Sequence, residues 1–151
     1  ILYYDESTSY RSSFAQFRDN AEWLASVRDL DGDEFVLSAM QYAHVAETDE
    51  AAWDALRPAL VHSRRQYAKH AAGRDASEWD LDSMSDERLA GLRAGALVGS
   101  PGTVIERLRE YERALEGELH LIARLWHPTL SHEALVDSLE LFAEEVVPAF
   151  R

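Results

Sequence analysis

Cysteine is absent from all 151 residues, which removes disulfides, thiolate metal ligands and cysteine nucleophiles together. The absence fits a reducing compartment, and the expected location is the cytoplasm. Basic residues are scarce: 15 Lys and Arg stand against 28 Asp and Glu, a net charge of −13. So acidic a surface repels phosphate backbones and anionic lipid, and disfavours nucleic-acid and membrane-surface partners. No apolar run approaches the roughly 18 residues of a membrane span, and no signal peptide is visible. Nor does the chain open on Met. Ile1-Leu2-Tyr3-Tyr4 reads as a strand cut at its start.

Other absences concern chemistry. The six histidines form no H-E-x-x-H pattern, and no Ser stands in G-x-S-x-G, so zinc-protease and hydrolase chemistry lack support. Residues 29–33 (Asp-Leu-Asp-Gly-Asp) suggest a calcium loop, but Glu34 occupies the place of the required Gly and Met40 that of the bidentate Glu. No metal site is expected.

What the chain has is apolar residues in two rhythms. Hydrophobic residues make up 46% of it, with four Trp, five Phe and six Tyr, enough for a packed core. Phe14, Phe17, Ala21 and Leu24 recur at helical spacing, and residues 29–33 break that pattern as a turn. Residues 34–46 read as a long strand that is apolar on both faces, as in a parallel sheet covered on each side. Thr48 can cap a following helix with Asp49 and Glu50 in its first turn. Trp53, Leu56, Leu60 and Tyr67 should share one face of it, and Pro58 should kink or divide it.

Residues 73–97 lose the pattern and read as a loop insertion able to act as a lid, with a short helix near 86–94. Ser100-Pro101 opens another helix with Val104, Leu108, Tyr111 and Leu115 on one face, ended by Gly117. Residues 119–126 are a second buried strand. Ser131 caps the last helix, where Leu135, Leu139, Phe142 and Val146 are spaced for burial. Strands alternating with helices predict parallel strands joined by right-handed crossovers.

Three stretches, in order, resemble the C-terminal part of the luciferase-like flavin-dependent monooxygenases. Residues 44–53 (His-Val-Ala-Glu-Thr-Asp-Glu-Ala-Ala-Trp) are similar to a strand-end segment, V-A-E-T-D-E-E-A. Residues 98–104 (Val-Gly-Ser-Pro-Gly-Thr-Val) are close to a helix opening, G-[ST]-P-x-x-V. Residues 138–148 (Ser-Leu-Glu-Leu-Phe-Ala-Glu-Glu-Val-Val-Pro) nearly repeat a closing S-L-x-L-F-A-E-E-V-x-P.

The resemblance implies an α/β fold: a partial (β/α)8 TIM barrel of about the last three βα units, since a whole barrel needs about 250 residues. Residues 1–151 would be one C-terminal barrel segment. The implied enzyme is a monooxygenase using reduced FMN, or in some branches a deazaflavin, with O2 on a small organic substrate. The segment alone is expected to be inactive. The alternative is a non-catalytic relative that binds flavin or forms a subunit interface. The resemblance also implies a homodimer.

In such a barrel the site lies at the C-terminal ends of the strands, which selects Tyr42 and His44 on the first long strand and Arg124, Trp126 and His127 on the second. By alternation Ser38, Tyr42 and His44 share one face, expected to look into the barrel, while Leu37, Ala39, Ala43 and Val45 meet the helices. His120, Ile122, Arg124 and Trp126 share a face likewise.

Arg124 is read as a clamp for an anionic group on flavin or substrate, or else as half of an ion pair with an acid elsewhere in the barrel. His44, with an ordinary pKa near neutrality, is the candidate proton donor, against the plainer reading of a hydrogen-bonded core histidine. Trp126 is a candidate flavin wall or core residue, and His127 lines the site or belongs to the exit loop. Ser100, at a helix start, is a candidate phosphate contact, with ordinary capping as the other reading.

Overall fold

A computed structural model describes residues 38–70, 76–114 and 120–151, together with Asp19, Trp23 and Ser26. The predicted strand at Ile1–Tyr4, the turn at 29–33 and the stop at Gly117 lie outside the described residues. The helix expected around Phe14–Leu24 is described only at Asp19, Trp23 and Ser26, which are helical.

The described elements run in the order β1 (Ser38–Val45), α1 (Asp49–His70), α2 (Asp86–Ala94), β2 (Leu97–Gly99), α3 (Pro101–Ala114), β3 (His120–Arg124) and α4 (His132–Leu141), then a π-helical turn (Phe142–Val146) and a 3-10 turn (Val147–Phe150). The three strands form one parallel sheet in the order β2-β1-β3. The two long apolar runs therefore lie side by side and point the same way, with Tyr42 opposite Arg124. A wall wound strictly in chain order would put β2 in the middle. Here the longest strand is central: its C-terminal half pairs with three-residue β2 and its N-terminal part with β3.

Alternation sends the two sets of side chains to different covers. Ala43, Val45 and Leu97 pack with Val104, Leu108 and Tyr111 of α3 and with Val146; Leu121, Ala123 and Phe142 border this core. Burial pushes the Tyr111 phenol up to about 12. On the opposite face Val98 and Ala96 pack against Ala52, Trp53, Leu56, Ala59 and Leu60 of α1, with Leu89 and Leu92 of α2 and Tyr42 at the border. This corrects the expectation that only the odd-numbered face of β1 meets helices. Ala96 and Val98 extend an apolar surface beside Tyr42 that α1 and α2 cover.

Other differences have local causes. The loop expected over 73–97 ends instead in β2, Leu97–Gly99, whose three residues carry no usable period. Yet Ala96, Leu97 and Val98 are all buried. The short helix is present as Asp86–Ala94, capped by Ser85. Helix α1 runs through Pro58 unbroken. The ring sits on an exposed position, and burying Leu56, Leu60 and Val61 at roughly 1.5–3 kcal/mol each outweighs the roughly 3 kcal/mol proline penalty. Tyr67 is 57% exposed, and Ala68 takes the buried place near the helix end. In the last helix Leu139 is 52% exposed whereas Val146 is buried. The wider π-helical turn, in which Val147 N–H donates to the Phe142 carbonyl, shifts the register and brings Val146 onto the core.

Candidate functional site

Two residues apart on β1, Tyr42 and His44 project to the same side of the sheet, and in-register pairing brings Arg124 of β3 beside Tyr42. The Arg124 guanidinium donates to the Tyr42 hydroxyl at 3.3 Å and lies 4.9 Å from the centre of its ring, within cation–π range. Among the described residues no carboxylate pairs with this guanidinium, which is half-buried at the end of a sheet strand.

Beyond Arg124 the chain leaves the sheet through Leu125 and exposed Trp126, then turns at His127 and Pro128, closed by Leu130 N–H donating to the His127 carbonyl at 3.3 Å. The turn directs the His127 ring back onto β1. Its Nε2 lies 3.0 Å from the Ala43 carbonyl oxygen, and its ring stacks on Tyr42 with centroids 5.9 Å apart and planes at 27°. The His44 ring meets it edge-on at 6.4 Å. Just past this point Val45 N–H donates 2.8 Å to the hydroxyl of buried Ser138 on α4.

Both imidazoles are buried, His44 at 3% exposure and His127 at 1%, and the Nδ1 atom of each has no hydrogen-bond partner among the described residues. Burial first, and then neighbouring His127, lowers the His44 pKa to about 4. Burial and the Arg124 charge pull His127 down, against an opposing contribution from its bond to Ala43. The expectation of His44 as a proton donor rested on an ordinary pKa. In its buried place the ring is neutral at neutral pH and can hold or accept a proton but does not arrive charged.

The predicted site residues therefore divide. Tyr42, His44 and Arg124 are brought together, and His127 joins them. Trp126, two residues past the end of β3, is 61% exposed and not part of the core. Ser100 belongs to a different group at the end of β2. Its N–H donates to Asp49 Oδ1 at 2.7 Å, its hydroxyl bonds Thr103 Oγ1, and Thr103 Oγ1 donates to Asp49 Oδ2 at 2.9 Å. These bonds hold the Asp49 carboxyl below its usual range, the Ser100 amide first among them. The start of α3 thus already receives an anion from within the protein, where the phosphate reading needed a vacant amide. Gly99 makes the approach possible, since a Cβ there would sit 2.8 Å from Asp49 Oδ1 and Thr103 Cγ2 at a φ of +154°.

Sequence reasoning missed the roles of Asp49 and Ser138, although both lie inside the quoted motifs. The available signal was a pair of motifs, each with a small polar residue, whose partners are far apart in sequence.

Residues 8–116, more than half of the chain, match the family described as luciferase-like monooxygenase. No curated protein matches the sequence. Among solved structures the chain is similar to monooxygenase RslO1 from Streptomyces bottropensis, at 20% identity and TM-score 0.65, over 93% of this chain and 38% of that one. It is also similar to the oxygenating constituent of 3,6-diketocamphane monooxygenase from the CAM plasmid of Pseudomonas putida, a type II Baeyer–Villiger monooxygenase solved in complex with FMN. Identity there is 22% and TM-score 0.56, over 93% of this chain and 41% of that one. The chain spans about two fifths of the length of each. Its three-stranded wall with flanking helices is a partial (β/α)8 barrel, and the chain belongs to the luciferase-like monooxygenase family.

Proposed function

We propose that this chain supplies part of the cofactor and substrate wall of a flavin-dependent monooxygenase, with Arg124 as its anion-binding side chain. One observation carries the reading: a half-buried guanidinium at a strand end, joined to a tyrosine hydroxyl and to no acid among the described residues. A half-buried cation gains from an anionic partner, and an anionic ligand can be that partner. The groups present fit a flavin or an acidic substrate group: a planar cation and the Tyr42 hydroxyl as donors, an exposed indole beside them, and two buried imidazoles whose Nδ1 atoms have no partner among the described residues.

Reduced FMN is the cofactor of this reading, supported by the family and by the FMN complex of the camphane enzyme; a deazaflavin is the alternative. When bound, the reduced flavin supplies the electrons with which O2 oxygenates a small organic substrate. Arg124 binds and orients the anionic end of flavin or substrate. Tyr42 fixes the guanidinium through its hydroxyl and ring. Trp126, exposed beside the strand end, is the side chain available to cover a bound ring. Neutral His44 is the residue placed to hold or take a proton at Nδ1. A cysteine-free, acidic chain suits work in the cytoplasm, and a homodimer completes the reading.

Arg124→Ala should weaken FMN binding about tenfold or more, the scale of one charge-assisted bond, while leaving the melting midpoint within a few degrees of the parent. Titration of protein fluorescence with FMN measures the first and calorimetry the second. Equal affinity of parent and variant would remove Arg124 from the site.

A further inference from the structure

We infer that His127 is a positioning residue for this site, a neutral imidazole that takes over the β1–β3 hydrogen-bond ladder where β3 ends and so fixes the orientation of Tyr42 and His44. The inference rests on the functional reading only in what the site binds; the positioning itself stands on the geometry around His127.

Backbone pairing between β1 and β3 stops at Tyr42 and Arg124. Past that point β1 still presents a carbonyl at Ala43 and an N–H at Val45 toward the same edge, because residues of equal parity share an edge. Side chains answer both: His127 Nε2 at the Ala43 oxygen, 3.0 Å away, and Ser138 Oγ at the Val45 amide, 2.8 Å away. A carbonyl oxygen can only accept, so the His127 proton resides on Nε2 and Nδ1 is left as a bare acceptor. The tautomer is thereby set by the backbone. The same ring stacks on Tyr42 and takes the edge of His44. One side chain thus touches Tyr42, Ala43 and His44 in succession, and Tyr42 in turn holds Arg124.

A merely space-filling ring would need neither the Nε2 bond nor a fixed tautomer. Glutamine separates the two roles, because its side-chain amide can place a donor at about the Nε2 position while lacking the aromatic ring and the ability to titrate. In the purified protein, nitrogen-15 NMR of the histidine rings at neutral pH should show a neutral Nε2–H imidazole whose signal disappears in both His127→Gln and His127→Ala. Amide hydrogen exchange at Tyr42, Ala43 and His44 should speed up in His127→Ala and return most of the way in His127→Gln, a readout that loss of the ring's own magnetic effect does not move. FMN affinity should fall about tenfold in His127→Ala and stay within about threefold of the parent in His127→Gln, the scale of one buried hydrogen bond.

An Nδ1–H tautomer at His127, or exchange at Tyr42, Ala43 and His44 speeded equally by Gln and Ala, would overturn the inference. If the parent protein binds no FMN, the flavin reading fails, and the NMR comparison still decides the positioning role by itself. Should either variant fail to fold, the tautomer measured in the parent is the deciding result.

Discussion

Two polar clusters sit at strand ends of the same sheet, one around Asp49 and one around His127, and they are completed to different degrees. Around Asp49 both carboxylate oxygens are engaged, by the Ser100 amide and the Thr103 hydroxyl. Thr48 caps the first turn of α1 beside it, and Arg93 donates to the Asp49 carbonyl. The charge lies at the starts of both α1 and α3, where two helix dipoles favour it. Around His127 two ring nitrogens are unanswered and a guanidinium has no acid among the described residues. The first cluster joins the strand-end motif to the Gly-Ser-Pro motif and engages both oxygens of its carboxylate within the protein. The second retains bonding capacity among the described residues: two buried ring nitrogens and a half-buried guanidinium.

Acid should separate the two clusters with the largest effect. The folded state holds the His44 pKa down at about 4, whereas the unfolded chain takes up that proton near pH 6.5. A depressed histidine pKa gives stability that is complete above about 6.5 and falls as the pH drops toward 4, because only the unfolded state gains the proton in that window. The loss attributable to His44 is about 3 kcal/mol between pH 7 and 4. His127, lowered for the same leading reason, acts in the same direction. Asp49 is a carboxylate held below its usual range, so acid reaches its cluster later than the histidine cluster. Urea denaturation at pH 7, 5.5 and 4, on the parent and on His44→Gln, measures the difference. Parallel pH curves for the two proteins would show that His44 does not set the loss.

Next in size is the completed cluster. Asp49→Ala removes two accepted bonds and a charge at two helix starts, and should cost about 2 kcal/mol. Asp49→Asn can still accept from the Ser100 amide but not from both partners, and should cost about 1 kcal/mol. Chemical denaturation at pH 7 gives both values. FMN affinity should not follow them, since this cluster is structural. A variant that lost flavin binding in proportion to stability would return the start of α3 to the candidate site and revive the Ser100 reading.

The long elements were legible in the sequence because each carries its own period. The Val104, Leu108 and Tyr111 stripe became the buried face of α3, and the two apolar runs became neighbouring parallel strands. Alternation put Tyr42 and His44 on one face of their strand, and the pairing register brought Arg124 beside Tyr42. What escaped was set by tertiary contact. β2 is too short to show a period and is a strand because β1 lies beside it. His127 is outside any strand, so no alternation rule reaches it, and a turn through Pro128 aims it. The lowered His44 pKa comes from burial and a neighbour 83 residues away, and no local pattern encodes either. The three motifs pointed to the family, and the bond from the Ser100 N–H to Asp49 joins two of them in space: each supplies half of one hydrogen-bonded group.

Ser138 gives the smallest and sharpest test, because it lies between the two kinds of cluster. Its hydroxyl answers one backbone amide, that of Val45, and it is 1% exposed. It therefore resembles the Asp49 group in being satisfied and the His127 group in its position along β1. Ser138→Ala leaves the Val45 N–H buried and unpaired, at a cost of about 1 kcal/mol. If the ladder past Tyr42 is a continuous device, the Val45 amide should also exchange with solvent faster in this variant, and the Ala43 carbonyl bond to His127 should loosen with it. Amide hydrogen exchange measures the first, and the His127 ring nitrogen shifts report the second. Faster exchange at Val45 with unchanged His127 shifts would mean that the two side-chain bonds act separately, and that His127 alone holds the site end of β1.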